Sequence, residues 1–222
     1  MDGVFIIGVD TNVGKTTVAA GIVKMLYGTK NVRYWKPVQT GTIVGDDTND
    51  IKASTDLPAE LFLEPAYRFS DPLSPHFAAK KWNKVINTEE MVRTAQAESK
   101  KGNYLVVEGA GGLLVPFNET ELQVDFLQKM GLPLLIITTD RVGAINQTLL
   151  TLNECTRQNL KVHGVIMTKS RGNLGNGEAI SSFGKCEVLA QFPTVEESHA
   201  LIGKVAANPR LRKLFGVQVL PL

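Results

Sequence analysis

Short apolar runs alternate along the chain with stretches whose apolar residues recur at helical spacing. Val4 to Ile7, Val32 to Val38, Tyr104 to Val107, Leu132 to Thr138, Val162 to Met167 and Val188 to Phe192 read as buried strands. Between them, Thr16 to Tyr27, a short stretch ending at Thr55, Thr88 to about Lys101, Leu122 to Met130, Gly143 to Gln158 and Glu196 to Ala207 read as helices. Runs that are apolar at nearly every position belong to strands covered on both faces. The alternation therefore predicts an α/β fold, a mostly parallel sheet with helices on both sides. Leu57 to Tyr67 has no clear period, and Asp71 to His76 (DPLSPH) is expected to be a proline-rich loop. Thr168 to Gly177 reads as a basic, glycine-rich loop, and Pro209 to Leu222 as a tail holding at most a short helix.

Composition narrows this picture. The 222 residues suit one well-buried domain spanning 1–222; 43% are hydrophobic, 21% are charged, and the net charge is +2. Basic residues are scattered rather than striped, so no nucleic-acid partner is expected. No apolar run approaches bilayer length, and no basic segment with an apolar core precedes the first strand, so a cytoplasmic protein without membrane partners is expected. Cys155 and Cys186 are too few for a disulfide framework and lack metal-ligand spacing. His76, His163 and His199 stand far apart, which favours structural or surface roles, and Trp35 and Trp82 read as packing residues.

Chemistry gathers where strands end. Gly8 to Thr17 (GVDTNVGKTT) joins the first strand to the first helix and carries Gly14, Lys15 and Thr16, the second half of a phosphate-binding loop one residue longer than its consensus. In such a loop backbone N–H groups surround phosphate oxygens, the lysine reaches the β/γ-phosphates, and the hydroxyl ligates Mg²⁺; the helix start adds partial positive charge. The plain alternative is a glycine-rich turn with an exposed lysine. Glu108 ends a buried strand, where an acid needs a cation or water, and such carboxylates hold Mg²⁺ in phosphate-loop enzymes. Asp47 or Asp50 supplies a second carboxylate, unless Asp47 only caps its helix. Lys36 and Thr40 flank a turn after the second strand, Gly111 and Gly112 permit close backbone approach to a ligand, and Asn146 sits in a helix's first turn. Each has an ordinary structural explanation when taken alone.

In order, GVDTNVGKT, KPVQTG, the acidic turn GDD, DPLSPH, VVEGAGG and VGAIN resemble the dethiobiotin synthetase family over most of the first 150 residues. The resemblance implies a single P-loop NTPase-like α/β domain working as a homodimer. It also implies an ATP- and Mg²⁺-dependent ring closure of 7,8-diaminononanoate with CO₂ or bicarbonate to give dethiobiotin, ADP and phosphate. It assigns Mg²⁺ to Thr16, Asp47 and Glu108, with Asp47 preferred to Asp50 by ungapped spacing from the SPH motif. Nucleotide contacts fall to Asn12, Val13, Gly14, Lys15, Thr16, Thr17 and Gly111. Lys36, with Lys15, is the implied catalytic lysine, and Thr40 the implied contact to the diamine. Gly111 and Gly112, with Ala144, Ile145 and Asn146 of the other subunit, would receive the substrate's distant carboxylate.

One departure is visible. Where the family offers an asparagine to the adenine edge, this chain has Thr168, followed by Lys169, with Pro193, Thr194, Val195 and Glu197 expected to wall the base pocket. A hydroxyl cannot make an amide's two-pronged contact, so weak discrimination among nucleoside triphosphates is expected. The competing reading is a MinD-like partitioning ATPase acting as a switch. Those proteins carry an extra lysine five residues before the invariant one, and here that position is Asp10.

Overall fold

A computed structural model describes residues 1–170, 174–195 and 198–219 of the chain. Strands β1 (Gly3–Gly8), β2 (Val32–Trp35), β4 (Phe62–Leu63), β6 (Tyr104–Glu108), β7 (Leu134–Thr139), β8 (Val162–Ser170) and β9 (Val188–Pro193) form a seven-stranded sheet in the order β4-β2-β6-β1-β7-β8-β9. Every pairing in it is parallel. The short β3 (Val38–Gln39) and β5 (Tyr67–Arg68) make a separate parallel pair.

Alternation along β1 divides the core. Val4 and Ile6 pack on one face, beneath helices α1 (Lys15–Leu26), α2 (Asp47–Thr55), α8 (Ser198–Ala207) and α9 (Pro209–Leu214). Phe5 and Ile7 pack on the other, beneath α3 (Pro75–Lys81), α4 (Thr88–Lys100), α5 (Gln123–Met130), α6 (Ala144–Arg157) and α7 (Asn176–Gly184). All six β1 residues are buried, as an inner strand of a parallel sheet requires. Because the strands run in one direction, β1, β6, β7 and β8 all end along the same edge, and the loops after them share one crevice. No described helix is long and apolar enough to cross a membrane.

Several expectations are corrected. The apolar run Val32 to Val38 is two strands, because Pro37 has no N–H to continue the ladder and the chain turns away to pair Val38 with Tyr67. Leu57 to Tyr67 contains β4, which extends the main sheet through two residues, too short a run to show a period. Pro75 and His76 open helix α3 rather than continue a loop, since proline is tolerated at a helix's first position. The expected loop from Thr168 instead continues β8 to Ser170, and α7 begins at Asn176. Trp35 is fully buried, but Trp82 is half exposed, its Nε1 donating to Asp71 Oδ2 at 2.8 Å.

Candidate active site

The loop after β1 wraps tightly around the start of α1. Asn12 at φ 55° and Gly14 at φ 89° adopt the left-handed conformation, with Gly14 as the helix N-cap. Gly8 is needed for a different reason: a Cβ there would stand 2.6 Å from Asp10 O. Lys15 Nζ donates to Asp10 O at 3.2 Å, folding the side chain back over the loop. Burial pushes its ammonium below the usual lysine range; Glu108 and Asp10 oppose that shift and Lys36 adds to it.

Four side chains from four parts of the chain meet beside this helix start. Thr16 Oγ1 lies 2.9 Å from Asp47 Oδ1 and 2.9 Å from Glu108 Oε1. Lys36 Nζ is ion-paired with Asp47 Oδ2 and lies 3.4 Å from Glu108 Oε1. Glu108 is 1% exposed and Lys36 7%, so the carboxylate gets its compensation from the cluster rather than from water. The N-cap of α2 is Asp46, whose side chain accepts from Asn49 N at 3.1 Å and pairs with Arg68. Asp47 is thereby released from capping and faces Thr16, while Asp50 is exposed one turn further on.

Two cavities flank the loop. One, of about 640 Å³, lies between Asn12, Val13 and the ends of β7 and β8, and is lined also by Asp140, Arg141, Lys169 and Thr194. The other, of about 440 Å³, lies between Asp10, Gly111, Gly112, Leu114, Gln147 and Leu150. Thr168 lines neither; it is buried, and its hydroxyl donates to Val13 O at 2.7 Å. Pro193 is exposed and Val195 half-buried at the end of β9, whereas Glu197 lies outside the described residues. Thr17 is half-buried on the first turn of α1. Thr40 is half-buried in the turn before Gly41, away from the charged cluster's hydrogen bonds. At the start of α6 Ala144 is buried, Ile145 half-buried and Asn146 exposed, and none of the three lines either cavity.

Three buried residues in this site were not singled out in the sequence. Tyr34 OH donates to Glu108 Oε2 at 2.9 Å; its only signal is alternation, since it lies two residues before Lys36 and shares its face. Gln39 accepts from Asp47 N at 3.2 Å and donates to Thr40 O at 2.8 Å, bracing the turn that carries the acid. Gln123, fully buried, accepts from Ala110 N at 2.7 Å and donates to Gly112 O at 2.7 Å and Ala110 O at 3.2 Å. Nothing in the sequence ties Gln123 to a glycine loop thirteen residues away.

A family profile described as an AAA domain matches residues 2–200. The chain is 37% identical to the ATP-dependent dethiobiotin synthetase of Lawsonia intracellularis, over 95% of this chain and 98% of that protein. It is also 37% identical to that of Paramagnetospirillum magneticum, over 86% and 88%. The chain belongs to the dethiobiotin synthetase family. It is thus an ATP-dependent P-loop enzyme of the ligase class. Among solved structures, the Aquifex aeolicus MinC:MinD cell division protein complex superposes on this chain with a TM-score of 0.66, at 16% identity, over 100% of this chain and 98% of that one. At that identity the likeness is one of fold, and the partitioning-ATPase alternative has nothing further in its favour: Asp10 stands where its extra lysine would be.

The oxygen donors of Thr16, Asp47 and Glu108 would fit Mg²⁺. Among the described residues no group of three or more His, Cys, Asp or Glu side chains is assembled for a metal. Two carboxylates and a hydroxyl, all hard oxygen donors, are what Mg²⁺ takes when nucleotide phosphates complete its shell.

Proposed function

We propose that this enzyme closes the cyclic urea of dethiobiotin on 7,8-diaminononanoate, using ATP and CO₂ or bicarbonate and releasing ADP and phosphate. The observation that carries the reading is the Lys36 ammonium held against Asp47 and Glu108 immediately beside Thr16, a buried cation at the phosphate end of the loop. One substrate amine captures CO₂ as a carbamate and loses a proton. A carbamate oxygen then attacks the γ-phosphorus, ADP leaves, and the second amine displaces phosphate from the mixed anhydride to close the ring. No protein nucleophile is needed, so catalysis is positioning and charge stabilisation. Lys15 and the loop N–H groups hold the phosphates, and Lys36 steadies the carbamate and the transferring phosphoryl group. Thr16, Asp47 and Glu108 would hold Mg²⁺, which supplies charge neutralisation at the β- and γ-oxygens.

The smaller cavity, lined by Gly111, Gly112, Leu114 and Leu150 beside the loop, suits a short aliphatic chain with polar ends. Leu114 and Leu150 in the lining of the smaller cavity and Val142 in that of the larger are exposed, as is Asn146 outside both. The exposed apolar side chains support a homodimer, in which the start of α6 in a second copy, Ala144, Ile145 and Asn146, completes the substrate site as the family resemblance implies. The larger cavity, with Lys169 and Thr194, is the proposed base pocket. The test is phosphate release from Mg·ATP with bicarbonate, with and without the diamine, and detection of dethiobiotin by mass. Diamine-dependent release matched by dethiobiotin is expected; equal ATP turnover without the diamine and without cyclic urea would overturn the reading.

A further inference from the structure

Glu108 divides its two oxygens between different partners. Oε1 faces Thr16 Oγ1 at 2.9 Å and Lys36 Nζ at 3.4 Å, toward the phosphate-binding side. Oε2 points back into the sheet, where among the described residues Tyr34 is its one hydrogen-bond donor. The strand register explains how a tyrosine comes to be there: in the parallel pair of β2 and β6, Tyr34 stands opposite Val106, so it shares a sheet face with Glu108 two residues on. The ring is fully buried and packs edge-on against Phe62, with centroids 6.1 Å apart. In this pair the phenol is the donor, since a carboxylate oxygen only accepts. A carboxylate held at both oxygens has one orientation. Without the Oε2 partner, this nearly unexposed group is free to turn toward Lys36.

We propose that Tyr34 is a positioning residue for the metal: its hydroxyl fixes the orientation of Glu108 and so sets divalent-cation affinity, without touching nucleotide or diamine. The inference rests on the reading that Thr16, Asp47 and Glu108 hold Mg²⁺. Hydrogen-bonding partners behind metal ligands are typically worth about 10- to 100-fold in metal affinity. In the full chain, Tyr34→Phe is therefore expected to weaken Mn²⁺ binding, read by electron paramagnetic resonance in the presence of ADP, by roughly 10-fold. The Mg²⁺ concentration for half-maximal turnover should rise in parallel, while turnover recovers as Mg²⁺ is raised. Phe62→Leu loosens the same packing and keeps the hydroxyl; it should lower thermal stability and leave Mn²⁺ affinity unchanged. Should the phenylalanine protein not fold, Tyr34→Leu lacks the hydroxyl and relieves crowding, and the same readout applies. Mn²⁺ affinity within about twofold of the unmodified protein in a folded Tyr34 variant overturns the proposal. If Glu108→Gln also leaves Mn²⁺ binding unchanged, it is the metal-site reading that fails; if Glu108→Gln abolishes binding and the Tyr34 variants do not alter it, only the role of Tyr34 fails.

Discussion

On the β2–β6 side of the P-loop, charged side chains hold one another; on the β7–β8 side, side chains hold the loop's backbone and space is left over. The first side is Lys36, Asp47, Glu108 and Thr16, braced by Tyr34 and Gln39. On the second, Thr168 donates to Val13 O, Lys169 Nζ donates to Asn12 O at 3.2 Å, and the cavity beyond is open to solvent-exposed Arg141 and Val142. Removing one member of a buried charged cluster leaves an uncompensated charge; removing a bond to backbone leaves only an unpaired carbonyl. The charged side should therefore govern chemistry, and the backbone-held side stability and base choice.

The contrast is broken most sharply at Lys36. Lys36→Ala should lower turnover by about 10² or more, in the range seen when a preorganised charge donor is removed. It also leaves Asp47 and Glu108 without their cation, at a cost of roughly 3 kcal/mol that Mg²⁺ should partly restore, visible as a larger Mg²⁺-induced rise in melting temperature than in the unmodified protein. Near-normal turnover in a folded Lys36→Ala protein would exclude the catalytic role.

Gln123 tests the glycine loop between the two sides. Gln123→Met strands Ala110 N, Ala110 O and Gly112 O, so stability should fall by about 2 kcal/mol in denaturant titration. Because Gly111 and Gly112 line the smaller cavity, KM for the diamine should rise by about 10-fold, the order of one lost hydrogen bond or two. An equal rise in KM for ATP would mean that the loop serves the nucleotide instead.

The backbone-held side should yield smaller effects. With the Thr168 hydroxyl committed to Val13 O, turnover with ATP, GTP and CTP at equal concentration should agree within about 10-fold, far below what a polar base reader gives. A much stronger preference for ATP would mean that other groups in the cavity read the base. Thr168→Val should cost about 1 kcal/mol. In a chain of this size that is a melting-temperature drop of roughly 2–4 °C by calorimetry, with turnover little changed.

The parts legible in advance were those carried by local pattern. Tyr104–Glu108 is the strand its apolar run describes, and α1 begins at the lysine of GKT because a left-handed glycine caps it. The misreadings share a cause. Pro75 reads as a loop former when it in fact starts a helix; β4 is two residues long and borrows its stability from β2. Both depend on what the segment docks against, which local propensity does not contain. The choice between Asp47 and Asp50 is settled in the sequence only by family spacing, because two acids three residues apart look alike; in the structure Asp46, paired with Arg68 from a distant strand, caps the helix, and Asp47 faces Thr16.

The amino-acid order alone determined the alternating α/β plan, the phosphate-binding loop and the acid ending β6, because each is written in residues a few positions apart and follows from periodicity, glycine freedom and the cost of a buried charge. Only the tertiary structure decided that Asp47 and Glu108 converge on the Thr16 hydroxyl with Lys36 against both carboxylates, that Thr168 turns from the cavity to the loop backbone, and that Tyr34 and Gln123 stand behind these groups. These contacts join residues 11 to 155 positions apart, and their geometry comes from strand register and helix docking, which no local stretch of sequence encodes.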